Sequence, residues 1–307
     1  MRLAAVTTPF GSRNMPRSFL HTFTEMFKDR RVDVAERFQL VREAVYGTMS
    51  NFHMAIDRTT GKTVGLKLCD KDKTAAFESR FKGLKKPSEG KIALQLKHPN
   101  IVETFETGIT KDGRPYIVME YVDGSGLNML ILNRDPILEG KRLSLFRQMA
   151  EALDGVHKAG FIHRDVCPRN FIVSPDGQVL KLIDFGLTLP QKREYMLPGN
   201  RTGTPLFMAP EIVRRKTTDQ RVDLFSLGVS AYQMWTFEFP WPSSDTTGRG
   251  ALQHDSKTPD PIEGKVPQIN RTVAKTIMQC LQPDPNLRPQ TAAEVVRLIK
   301  QATNDEQ

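Results

Sequence analysis

Cysteine is scarce in this chain, with three among 307 residues, and Cys69, Cys167 and Cys280 lie far apart. There is no CxxC and no Cys/His pair at metal spacing, which excludes a zinc site of ordinary pattern and a disulfide framework. A reducing, cytoplasmic setting is the expectation. No apolar run approaches the roughly 18 residues that a membrane helix needs, so no transmembrane segment is expected. Acidic residues are missing from the first 24 positions, "MRLAAVTTPFGSRNMPRSFLHTFT". That bias resembles a transit peptide, but the apolar stretch at 3–6 is too short for a secretory signal, and a plain basic extension is the better reading. Internal repeats and low-complexity tracts are also absent.

What is present is an ordinary globular composition, 39% apolar and 26% charged, in a chain long enough for two lobes. The formal charge of +9 is spread over the chain rather than gathered in a run, so no nucleic-acid partner is expected. Residues 1–36 read as an N-terminal extension. Within it Phe19, Leu20, Phe23, Met26 and Phe27 recur at helical spacing, which predicts an amphipathic helix, packed on the body or serving as a regulatory arm.

From residue 37 the texture becomes strand-like. "RFQLVREAVYG", "NFHMAID" and "RTTGKTVGLKL" are short apolar–polar runs with turn signals, and "IVETFETG" and "RPYIVMEYV" form a further pair. A helical stretch interrupts them at "PSEGKIALQLK". After "DGSG" the chain is mainly helical, as in "LSLFRQMAEALDGVHKAG" and "VDLFSLGVSAYQMW". The expectation is an α+β, bilobal fold with a β-rich lobe over 37–122, a mainly α-helical lobe over 123–303, and a ligand cleft between them.

Five segments fall in a fixed order: "VGLK" (64–67), "SEGKIALQLKHPNI" (88–101), "HRDVCPRN" (163–170), "LIDFG" (182–186) and "MAPE" (208–211). Any one triplet is weak, and their ordered co-occurrence is strong. On these segments the chain resembles the eukaryotic-type (Hanks-type) protein kinases from about Phe38 to Ile299. The resemblance implies an ATP- and Mg²⁺-dependent kinase acting on protein substrates. Lys67 matches the lysine that pairs with the α- and β-phosphates, and Glu89 its partner. Asp165 matches the residue that orients or deprotonates the attacking hydroxyl, and Asn170 and Asp184 match the Mg²⁺ ligands. Asp223 matches a brace for the HRD backbone, and Glu211 with Arg288 a buried ion pair. For the nucleotide the resemblance implies Gly47 over the phosphates and Phe52, Gly65, Glu120, Val122, Ile172 and Ile183 around the adenine, with Met119 as gatekeeper.

The sequence departs from the family pattern in two places. Only Gly47 remains of the three glycines in the phosphate-covering loop, "VYGTMS", which weakens or reshapes that clamp. Cys167 stands where serine/threonine kinases carry Lys, and Arg169 two residues later matches a position that tyrosine kinases use. Cys167 reads as a small packing residue rather than a redox switch. Thr204, seven residues before Glu211, favours serine/threonine over tyrosine specificity, and its hydroxyl is expected to reach Asp165. Thr188, Tyr195 and Thr202 are candidate phosphate acceptors, with Arg164 as the cation that a phosphate would engage. The departures keep other readings open: a catalytically weak nucleotide-binding pseudokinase or scaffold, a dual-specificity or tyrosine kinase, or a small-molecule phosphotransferase.

Overall fold

The computed structural model describes residues 31–41, 45–46, 50–241, 250–300 and 302. The amphipathic stretch at 19–27 and Gly47 lie outside the described residues.

The first lobe is built on one antiparallel sheet. Its strands are β1 (Phe38–Leu40), β2 (Val45–Tyr46), β3 (Ser50–Asp57), β4 (Lys62–Cys69), β5 (Thr104–Ile109) and β6 (Pro115–Glu120), in the order β1-β3-β4-β6-β5 with β2 also paired to β3. Side chains alternate along β4, and the two faces of that strand have different neighbours. Val64, Leu66 and Leu68 point into an outer cluster with Phe38, Ala55, Tyr116 and Val118. Gly65, Lys67 and Cys69 belong to the opposite face, where Ile117 and Met119 join the main core. The register sets Lys67 opposite Phe52 on one side and Ile117 on the other.

A one-turn helix, α1 (Val34–Arg37), precedes β1, and two further short helices cover the inner face. Helix α2 (Lys71–Glu78) is capped by Asp70, which accepts from the Asp72 and Lys73 amides, and α3 (Glu89–Ala93) is capped by Ser88. Pro87 precedes that cap. Gly90 lets α3 approach β5 closely, since a Cβ there would lie 2.1 Å from Thr107 Oγ1. Residues 32–36, grouped with the extension in the sequence, join this lobe: the Val32 amide donates to the Ile109 carbonyl at 3.0 Å, and Val32 forms a parallel bridge with Thr110. Arg37 then spans the lobe, bonding Asp57 at 2.9 Å and Glu106 at 2.8 Å.

The second lobe is helical, with its long helices over Arg142–Lys158, Arg221–Thr236, Arg271–Cys280 and Ala292–Ile299. The segment Arg221–Thr236 is apolar on nearly every side and runs through the core, where Leu224, Phe225, Leu227 and Val229 have no exposed surface. Two small antiparallel sheets frame the loop 163–170: Phe161–Ile162 pairs with Leu189–Pro190, and Phe171–Val173 pairs with Leu180–Leu182 and with Ser125–Gly126. The fold is the expected α+β, two-lobed arrangement. Among the described residues, no helix is long and apolar enough to cross a membrane.

Candidate active site

Three charged side chains from distant parts of the chain converge between the lobes. Lys67 Nζ donates to Glu89 Oε1 from α3 and, at 3.0 Å, to Asp184 Oδ1 from the segment after Leu180–Leu182. Burial disfavours the Lys67 ammonium, but the Asp184 and Glu89 carboxylates outweigh it and raise its pKa. Asp184 is held down at about 2: partial burial pushes it up, while Lys67 and the Gly186 amide more than reverse this. Glu89 moves the other way, because burial beside a second carboxylate outweighs the pull of the shared ammonium. Sequence reasoning passed over Cys69, whose sulfur lies 4.0 Å from Glu89 Oε2. Strand alternation was the available signal, because residues 67 and 69 share a face.

Asp165 lies in the loop between Phe161–Ile162 and Phe171–Val173, with its carboxylate held at both oxygens. The Thr204 amide and hydroxyl donate to Oδ1 at 2.8 and 2.6 Å. Asn170 Nδ2 and Arg169 Nη2 each donate to Oδ2 at 3.1 Å. The hydroxyl bond that the spacing of Thr204 suggested is therefore present. Cys167 is 1% exposed, and its sulfur lies 3.6 Å from Thr204 Oγ1. Burial and the nearby Asp165 push its thiol up to about 12, so it is a neutral packing group. The cation beside Asp165 is instead Arg169, half exposed at the cleft.

The loop is braced from below. Asp223 accepts from the amides of His163 and Arg164 at 2.8 Å each, and from His157 Nε2, a partner that sequence reasoning missed. Glu211 and Arg288 form a bidentate buried pair at 2.7 and 2.9 Å. Arg164 is 3% exposed and donates to Thr218 Oγ1 at 3.2 Å and to the Asn200 carbonyl at 3.0 Å. Of the candidate phosphate acceptors, Thr188 and Tyr195 are buried, and Thr202 is partly exposed.

Residues expected around the adenine gather at the junction of the lobes. Gly65 pairs with Met119 across β4 and β6. Gly65 and Phe52 form one unit: a Cβ at 65 would lie 2.8 Å from the Phe52 ring. Phe52, Val122 and Ile183 are partly buried against the main core, and Ile172 pairs with Gly126 beside them. Glu120 uses its side chain structurally, accepting from the Glu103 amide at 2.8 Å and from Lys181.

The donor set suits a hard divalent cation. Both amide hydrogens of Asn170 point toward Asp165, to its carbonyl and Oδ2, which leaves Oδ1 as the acceptor of that side chain. Asp184 Oδ1 is taken by Lys67 and the Gly186 amide, leaving Oδ2. The Ile183 amide donates to the Asn170 carbonyl at 3.0 Å, which ties Asn170 to the residue before Asp184. The described residues contain no cluster of three or more His, Cys, Asp or Glu side chains that could hold a metal ion. Two oxygens are what Mg²⁺ needs when waters and phosphates complete its shell.

Comparison with known proteins agrees with this geometry. The protein kinase domain model matches residues 39–299. The serine/threonine-protein kinase PknB of Mycolicibacterium smegmatis is 32% identical over 274 residues, covering 85% of this chain and 42% of the relative. The PknB of Mycobacterium tuberculosis is 31% identical over the same shares of each chain. The serine/threonine-protein kinase pkn3 of Myxococcus xanthus is 32% identical over 228 residues, covering 71% and 41%. The chain thus spans less than half the length of the curated relatives it matches.

Proposed function

The chain belongs to the protein kinase family, and on that premise we propose that it transfers the γ-phosphate of ATP to Ser/Thr hydroxyls of protein substrates, with Mg²⁺. The observation that carries this reading is the Lys67–Glu89–Asp184 cluster, assembled from both lobes beside Asp165. Bound Mg-ATP supplies the electrophilic phosphoryl group and the cation that neutralises its charge. Lys67 binds phosphate oxygens, and Glu89 fixes the ammonium for that task. Asn170 and Asp184 would hold the metal. Asp165 orients the substrate hydroxyl and takes its proton, and the Thr204 bonds fix the direction of the carboxylate. Arg169 stands in for the cation that Cys167 cannot supply. Phe52, Gly65, Glu120, Val122, Ile172 and Ile183 enclose the base, and Gly47 serves the phosphates.

Serine/threonine specificity is supported by the Thr204–Asp165 contact and by the names of the relatives. The three buried, unpaired cysteines fit a cytoplasmic setting. The test is transfer of radiolabelled phosphate from ATP to the chain itself and to a generic acceptor protein, with Asp165→Asn and Lys67→Ala as controls. Phosphoserine or phosphothreonine in the product is the expected result. Mg-ATP binding with transfer no higher than Asp165→Asn would identify a pseudokinase, and phosphotyrosine would overturn the specificity.

A further inference from the structure

Tyr195 lies in the stretch that runs from Asp184 to Glu211, and the proposed chemistry gives it no task. Its side chain is buried, yet it reaches out of its own lobe. The hydroxyl donates to the Leu84 carbonyl of the first lobe. The ring lies 5.8 Å from that of Phe81, which in turn meets Phe77 of α2 edge-on at 5.4 Å. Burial and the neighbouring Glu194 raise the pKa of the phenol, so it keeps the proton that it donates.

The loop that receives this bond is under strain. Leu84 stands between Gly83 at φ 91° and Lys85 at φ 51°, and a lysine keeps a left-handed backbone only where its surroundings hold it. From Leu84 the chain runs through Pro87 and the Ser88 cap into α3, so Glu89 follows five residues later. Pro87 fixes its own φ and stiffens that short approach. On the other side, the residue after Tyr195 touches the loop that carries Asp165. Met196 Sδ lies 3.9 Å from Arg164 Nη1 and 3.5 Å from Thr218 Oγ1, and the Met196 carbonyl accepts from the Thr218 amide at 3.1 Å. Arg164 immediately precedes Asp165. The pair Tyr195–Met196 therefore joins the two halves of the site, one from each lobe, outside the cleft itself.

We propose that Tyr195 is a positioning residue for Glu89: its bond to the Leu84 carbonyl holds the loop 82–88, and with it the start of α3, where Glu89 meets Lys67. The ring supplies the buried contact with Phe81, and the hydroxyl fixes the loop against it. The consequence for phosphate transfer rests on the proposed function.

Tyr195→Phe in the full chain tests this, since it keeps the ring against Phe81 and removes only the donor. Hydrogen exchange should quicken about three- to tenfold at the bonded amides of 92–96, the scale of one hydrogen bond, and stay unchanged in Arg221–Thr236. Unchanged exchange at 92–96 would overturn the tether. Calorimetric titration with Mg-ATP then asks whether Tyr195 acts through Glu89. Affinity should fall about three- to tenfold in the otherwise natural chain, and less than about twofold when Glu89→Gln is already present. An equal loss in both backgrounds would refute the positioning role, because a merely structural defect weakens both alike. Neither readout needs turnover. A chain that shows the coupling but transfers no phosphate would overturn the proposed function and leave the role of Tyr195 standing.

Discussion

Gly65 and Phe52 invite a double-mutant cycle. In Gly65→Ala the new Cβ would stand 2.8 and 2.9 Å from two carbons of the Phe52 ring and 3.1 Å from Met119 Cγ. Both neighbours are fixed by strand pairing on either side of β4, so the ring must tilt toward the cleft. Overpacking of this kind costs about 1–3 kcal/mol. Phe52→Val alone removes a half-buried ring and costs about 1–2 kcal/mol, less than truncation of a fully buried one. In the double variant the added methyl fills part of the space that the ring leaves. The pair should then cost about 1–2 kcal/mol less than the sum of the singles. Urea unfolding reads the stability cycle, and calorimetric titration with Mg-ATP reads the cleft. Gly65→Ala should weaken nucleotide binding and the second substitution should recover it. Additivity within about 0.5 kcal/mol would refute the reasoning, because contacting residues should couple.

Other sites give equally direct tests. Asp57 is held down at about 2, since burial raises its pKa while Arg37 and the Thr59 bonds more than reverse that. A lowered carboxylate stabilises the fold above its unfolded pKa of about 3.9, so about 2 kcal/mol should be lost between about pH 5 and pH 2. Denaturation across that range should show the slope, and Asp57→Asn should flatten it. Gly90→Ala would set a Cβ 2.1 Å from Thr107 Oγ1 and 2.5 Å from its Cβ. It should lower stability by about 1–3 kcal/mol, with partial rescue by Thr107→Ala in a thermal melt. In steady-state phosphate transfer, Arg169→Ala should lower kcat by at least about tenfold, whereas Cys167→Lys should change it little. A large rise in Cys167→Lys would show that the natural loop runs without a full substitute for the lysine.

Much of the fold was legible because the chain keeps local and global signals aligned. Alternation in "VGLKLC" marks a strand whose two faces meet different clusters, and the apolar run in "VDLFSLGVSAYQMW" marks a helix buried all round. Residues 32–36 were harder to read. Val32 joins the lobe through backbone bonds to Ile109 and Lys111, and such bonds leave no trace in side-chain pattern. A four-residue helix capped by Asp33 is also too short for periodicity to reveal.

The site divides along the same line. Motif order identifies which residues carry charge, but it does not say which cations and thiols reach the cleft. Cys167 and Arg169 lie two positions apart, and their fates differ because the chain between them turns at Pro168 into a single 3₁₀ turn. That turn leaves the thiol under Thr204 and the guanidinium against Asp165. Arg164 illustrates the same limit. A bare sequence offers it as a cation waiting for phosphate, whereas neutral oxygens of Thr218 and Asn200 already accept from its two terminal nitrogens. Burial lowers its pKa, so the guanidinium lies where an unpaired charge is costly and hydrogen bonds to neutral groups offset part of that cost. A phosphate that engages the terminal nitrogens has to displace those bonds first, and it would do so from a side chain other than the sealed Thr188 or Tyr195.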